Sequence, residues 1–174
     1  MKKIIVYVAL LVSSMVFSQN AFEKLEDKEG VESIVVSKKM FEMMSKVKVD
    51  AKDKEMQQYM NLLKKLDNLK VFTTSNAKLG ADMKATVNSY LKSNPLEELM
   101  RVNGDGKNVK IYVKSGANEN IVKELLMFVE GSNIKDAGTV VLSLTGNFSL
   151  DEISMLTEKM NLPGGDDLKK ASKK

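Results

Sequence analysis

The segment 107–115 constrains the fold more tightly than any other part of the chain. Val109, Ile111 and Val113 alternate with Lys110, Tyr112 and Lys114, the period-two pattern of a strand with one apolar and one polar face. Upstream, Leu99-Met100-Arg101-Val102 runs into Asn103-Gly104-Asp105-Gly106, residues that accept the positive φ angles of a tight hairpin turn. The apolar run Leu125 to Val129, and Thr139 to Thr145 with Val140, Leu142 and Leu144 on one face, extend the hairpin to a four-stranded antiparallel meander. A continuous apolar run does not settle its own period, so Ile121 to Val129 also fits a helix; a strand is the preferred assignment.

The first half mixes helices with strands. A short helix is expected around Phe22 and Leu25, packing loosely, ahead of Gly30. Ser33-Ile34-Val35-Val36-Ser37 is rich in β-branched residues and reads as a strand. Met40, Met43, Met44 and Val47 then follow the spacing of one helical face. The carboxylates of Asp50 and Asp53 suit the start of a second helix running to about Leu66, with Met56, Met60, Leu63 and Leu66 inward. Both are expected to be core helices. Leu69 to Thr74 alternates as a strand. Ser75 or Asn76 caps a helix carrying Leu79, Met83, Val87, Tyr90 and Leu91, which ends before Asn94-Pro95 because proline disfavours helix in the residue preceding it. After the meander, Ser149-Leu150-Asp151-Glu152 forms a capping box for a last helix with Ile153, Leu156 and Met160 on its apolar side. The fold class implied is α+β: an antiparallel sheet made of the C-terminal four-stranded meander plus N-terminal strands, with helices packed on one face.

Domain organisation follows from the two ends. Lys2 and Lys3, the apolar run Ile4 to Val12 and the small or permissive residues Val16-Phe17-Ser18 have the form of a secretory signal peptide over residues 1–18. The apolar run is far short of the roughly 20 residues a membrane span requires. Residues 19–162 are expected to form a single α+β domain. Residues 163–174, opening with Pro163-Gly164-Gly165 and rich in lysine, have almost nothing to bury and are expected to be a disordered basic tail. The mature chain should be soluble, periplasmic or secreted, with neither a transmembrane segment nor a lipid anchor, since no cysteine is present to carry acyl chains.

Composition removes whole classes of chemistry. The chain has no histidine, cysteine or tryptophan. Transition-metal sites of the usual nitrogen or sulfur kind, Ser-His-Asp and Cys-His nucleophile pairs, and disulfide staples are all excluded. Of 27 basic and 23 acidic residues, two lysines belong to the leader, leaving a net charge of +2 that gives no reason to expect nucleic acid.

Three motifs invite chemistry. Placing Gly106 at the turn glycine of a calcium loop puts Arg101 and Tyr112 where carboxylates are required, so a hairpin turn explains the loop better. Two Ser-x-x-Lys quartets, Ser45 to Lys48 and Ser89 to Lys92, lack the companion motifs of acyl-transfer enzymes, and quartets of this kind are expected by chance in so lysine-rich a chain. The methionines Met40, Met43, Met44, Met56 and Met60 are read as core, with a groove for a hydrophobic ligand as the alternative. No catalytic, cofactor-binding or metal-binding residue is assigned, and no cofactor is expected. Arg101, Lys110, Tyr112 and Lys114 are the candidate patch for an acidic or strand-donating partner, or else a solvated edge guarded by charge.

Several stretches together resemble a known family. They are Phe17-Ser18-Gln19, Ile34 to Met44, Leu96-Glu97-Glu98-Leu99-Met100-Arg101-Val102, Val109-Lys110-Ile111-Tyr112-Val113, Lys123-Glu124-Leu125-Leu126 and Leu142-Ser143-Leu144-Thr145-Gly146. In these the chain resembles the domain-of-unknown-function 4252 family, small exported proteins and lipoproteins of Bacteroidota. The resemblance implies no activity and no transferable functional residue. Many relatives carry the lipid-bearing cysteine that is missing here. The expected function is a non-enzymatic exported interaction or sensing module of the cell envelope with an unidentified protein partner. The alternatives are a carrier of a small hydrophobic ligand, or a hydrolase working without histidine or cysteine.

Overall fold

The structure, a computed structural model, describes residues 21–50, 52–104, 106–118, 120–131 and 138–160. The expected leader over 1–18 and the basic tail over 163–174 lie outside the described residues. The elements in chain order are α1 (Glu23–Glu26), β1 (Glu32–Ser37), α2 (Lys38–Met44), α3 (Lys54–Leu63), β2 (Leu66–Thr74), α4 (Ala77–Ser93), β3 (Glu97–Gly104), β4 (Lys107–Ser115), β5 (Ile121–Gly131), β6 (Thr139–Ser149) and α5 (Leu150–Lys159).

All six strands join one antiparallel sheet in the order β1-β2-β6-β5-β4-β3. The α+β class and the C-terminal meander are as the sequence implies, and Ile121 to Gly131 is a strand. At the hairpin Gly104 stands opposite Lys107, and Gly106 takes a φ of 71°, a conformation glycine adopts without strain. Local capping follows the side chains. Asp53 accepts the Met56 amide at 2.9 Å, Asn76 accepts those of Lys78 and Leu79, and Glu152 accepts that of Ser149 at 2.9 Å. Each such contact satisfies an amide that the first helical turn leaves unpaired.

The helices do not all lie on one face, a correction to the one-sided packing expected. On the first face Phe41 of α2, Tyr59, Leu62 and Leu63 of α3, and Ile153 and Leu156 of α5 close over Leu69, Val71, Ile111, Leu125, Met127, Leu142 and Leu144. On the second face Phe22 and Leu25 at α1, and Met83, Val87 and Tyr90 of α4, close over Phe72, Leu126, Phe128 and Val141. The cause is the central pair of strands. β5 buries every residue from Glu124 to Val129, and β6 every residue from Thr139 to Leu144, so both parities of each strand need a cover. Each large apolar side chain taken fully out of water contributes about 1.5–3 kcal/mol, and neither face can be left bare. Gly80 lets α4 approach β6 closely, because a Cβ there would sit 2.4 Å from the Thr139 hydroxyl oxygen.

Three further expectations change. The α1 turn packs tightly: Phe22 and Leu25 are buried, the Phe22 ring lies 5.0 Å from Tyr90 and 6.2 Å from Phe72, and Lys70 reaches Glu26 at 2.6 Å. Leu66 belongs to β2, since α3 ends at Leu63. Met40, Met43 and Val47 are exposed; Phe41 is the side chain that α2 buries, with Met44 half-buried beside it. The methionine spacing fits a helical face, but a single aromatic one position away fills the core more completely and turns that face outward.

Candidate functional site

The four patch residues do come together. β4 carries Lys110, Tyr112 and Lys114 on the second face of the sheet, opposite to buried Val109, Ile111 and Val113. Arg101 on β3 is the direct neighbour of Lys110, and Glu98 that of Tyr112. The sequence alone did not show the carboxylates that answer these cations. Arg101 donates to Glu98 at 2.6 Å, and this bond holds the Glu98 carboxyl below its ordinary range. Tyr112 is pushed up, first by burial and then by the Glu98 charge. Lys114 stands opposite Glu124, which is buried and accepts the Tyr90 hydroxyl at 2.5 Å. Burial raises the Glu124 carboxyl, while the Tyr90 bond and the Lys114 charge oppose the rise. Two carboxylates thus answer three cations, and the patch forms a charged, largely self-compensated surface along β3 and β4 instead of a strongly basic one.

The motifs with catalytic potential are dispersed. Ser45 sits at the C-terminal end of α2 and donates to the Glu42 carbonyl at 2.9 Å. Ser89 and Lys92 are exposed on α4. A groove of about 410 Å³ runs between the start of α4 and the ends of β5 and β6, lined by Asn76, Gly80, Lys84, Phe128, Glu130 and Thr139. Lys84 and Glu130 face each other across it at 2.9 Å and pair with one another. Of the methionines considered for a ligand groove, Met44, Met56 and Met60 are half-buried against the first core, whereas Met40 and Met43 face outward.

The unexplained surface lies at the opposite edge of the sheet. Among the described residues the large apolar side chains left exposed are Ile34, Val35, Met40, Met43, Val47 and Leu99. All but Leu99 fall between residues 34 and 47. Register decides the geometry: Ile34 opposes Val71 and so points to the first face, while Val35 opposes Lys70 and points to the second. Ile34 is 52% exposed and Val35 45%. Among the described residues β1 is paired on one side only, and α2, which follows it without a break, packs against β1 and β2 and leaves Met40 and Met43 exposed. Sequence reasoning missed this surface because β-branched runs and methionines at helical spacing are the ordinary signs of core.

The fold and these surfaces define a class: an α+β domain built on one sheet covered on both faces, with a charged edge and an apolar edge. The chain belongs to the family described as Domain of unknown function (DUF4252), whose match covers residues 22–156. No curated protein and no solved structure matches it. No helix among the described residues is long and apolar enough to cross a membrane.

Proposed function

We propose that this chain is a non-enzymatic interaction module of the cell envelope, exported by cleavage of residues 1–18 and engaging a protein partner at the corner formed by β1 and α2. The observation that carries the proposal is the run of exposed apolar side chains Ile34, Val35, Met40, Met43 and Val47 along a strand at the sheet edge and the helix that follows it. Large apolar side chains exposed together in one stretch of a folded protein often mark a binding site, and a free edge offers backbone hydrogen bonds to an added strand. The dispersal of Ser45, Ser89 and Lys92, and the mutual pairing of Lys84 with Glu130 in the groove, support a non-catalytic role.

A photo-crosslinking amino acid placed at Val35 or Met43 in the producing cell tests the reading. Adducts with a defined polypeptide, whether this chain or another, are expected at these positions and not at Ser89 on α4. Equal adduct yields at all three positions, or none, would remove the β1–α2 corner as the docking surface. The mass of the protein recovered from the envelope fraction checks export, because cleavage after Ser18 leaves Gln19 at the N-terminus.

A further inference from the structure

The segment Glu32-Ser33-Ile34-Val35-Val36-Ser37-Lys38 is complementary to its own reverse: an apolar centre flanked by serines, with opposite charges at its two ends. Antiparallel strands pair residues whose numbers have a constant sum, and directly opposed residues point to the same face. Centring such a pair on Val35 places Val35 against Val35 on the second face, Ile34 against Val36 on the first, and Ser33 against Ser37. Glu32 of each strand then comes to the Lys38 end of the other. The pairing of β1 with β2 is unbroken from Glu32↔Thr73 to Ser37↔Asn68, so β1 has no bulge to turn it away from a partner. Because the centre falls on a residue, the free edge can form its hydrogen-bonded pairs whichever alternate set of backbone groups points outward.

We infer that the partner at this edge is a second copy of the same chain, joined through antiparallel β1–β1 pairing about a two-fold axis at Val35. This inference rests on the β1–α2 corner being the docking surface and names its occupant. Such an interface is isologous and closes at two copies, since each chain uses its one apolar edge. It joins two six-stranded sheets into one and gives the exposed Ile34 and Val35 apolar partners. Charge complementarity fixes the register. Sliding the pairing by two residues moves Glu32 away from Lys38 and sets a serine against an apolar residue. Lys38 now bonds Asp67 at 2.8 Å, yet its side chain is 61% exposed and free to swing toward a neighbouring strand.

The absence of cysteine from the chain permits a direct test on protein expressed from the complete sequence and purified as the cell leaves it. Under mild oxidation by diamide, Val35→Cys is expected to give a disulfide-linked dimer in high yield, because only residue 35 meets its own counterpart at a separation suited to a disulfide. Ile34→Cys, next to Val36 of the other copy, should cross-link far less. Sedimentation should find a concentration-dependent dimer that Val35→Lys abolishes and Glu32→Lys weakens several-fold. The double exchange Glu32→Lys with Lys38→Glu should restore it, which a change that merely damaged folding would not do. A chain that is monomeric at every concentration reached, or a dimer indifferent to Val35→Lys, overturns the second-copy assignment. If a monomeric chain still forms position-specific adducts with another polypeptide from Val35 in the cell, the docking surface stands and only its occupant is wrong. Failure of both experiments rejects both.

Discussion

The two edges of the sheet are built on opposite plans. β3 carries Glu97, Glu98 and Arg101, has a bulge between Glu98 and Met100, and ties its charges together at 2.6 Å. Charge and bulges are the devices by which sheet edges avoid pairing with other chains. β1 has an unbroken register, Ile34 and Val35 exposed on opposite faces, and neither lysine nor proline within the strand. The two edges also differ in anchorage. β3 buries Met100 in the first core, whereas β1 buries no side chain fully and is held by its ladder to β2 and by Phe41 of the following helix. The proposed docking edge rests on this contrast: charge and a bulge guard β3, whereas β1 keeps an even register and leaves Ile34 and Val35 exposed.

The most severe way to break the contrast is to take away the anchor. Phe41→Ala empties a fully buried site and is expected to cost about 3–5 kcal/mol in urea unfolding. Because α2 holds β1 down, amide exchange in β1 should accelerate well before exchange in β4 and β5. Unchanged protection of β1 would mean that β2 alone holds the edge. A smaller loss is expected on the guarded side from Tyr90→Phe. Removing the hydroxyl that Glu124 accepts at 2.5 Å leaves a buried carboxyl short of a donor, at a cost of about 1–3 kcal/mol. Self-association should be untouched, since the lost hydroxyl sits at Glu124 on β5, three strands from β1. Loss of association in this variant would show that the two edges are coupled.

The meander was legible because its strands alternate and its hairpin carries Gly104 and Gly106; the helix ends were legible because Asn76, Asp53 and the Ser149–Glu152 pair have short-range reasons to cap. What escaped needed contacts distant in the chain. Leu125 to Val129 is apolar at every position, and that pattern favours a strand without excluding a helix until neighbours are known. Once β5 lies between β4 and β6, the same run requires helices on both faces. Met40 and Met43 were misassigned because periodicity identifies a helical face but not which way it points, and Phe41 decided the direction. The patch residues Arg101, Lys110, Tyr112 and Lys114 were placed together correctly by alternation and hairpin register. Their carboxylate partners Glu98 and Glu124 depend on pairings that the sequence pattern did not specify.

Replacing the guard itself tests its purpose. Glu98→Val combined with Arg101→Val removes an exposed ion pair and should shift the unfolding midpoint little, yet it should give the molecule a second apolar edge. Association beyond two copies, seen as growth in light scattering with concentration, is the expected result. A species that still stops at two would mean that the bulge at Leu99, not the charge, protects β3.

The smallest effect expected is electrostatic and concerns the two carboxylates beside the patch, whose shifts run in opposite directions. The Arg101 bond lowers Glu98 from 4.5. Its contribution is therefore present above the unfolded-state value and is lost as pH falls through the lower folded one. Burial raises Glu124 from 4.5, so its contribution is complete below the unfolded-state value and is lost as pH rises through the higher folded one. Denaturant unfolding at a series of pH values separates them. The difference between wild type and Arg101→Ala should be slight and constant above pH 4.5 and should vanish under more acidic conditions, as is usual for an exposed pair. Glu124→Gln should gain on wild type as pH rises from the same starting point. If Arg101→Ala differs from wild type equally at all pH values, its loss is one of packing by the guanidinium stem, and the charge on β3 guards the edge without stabilising it.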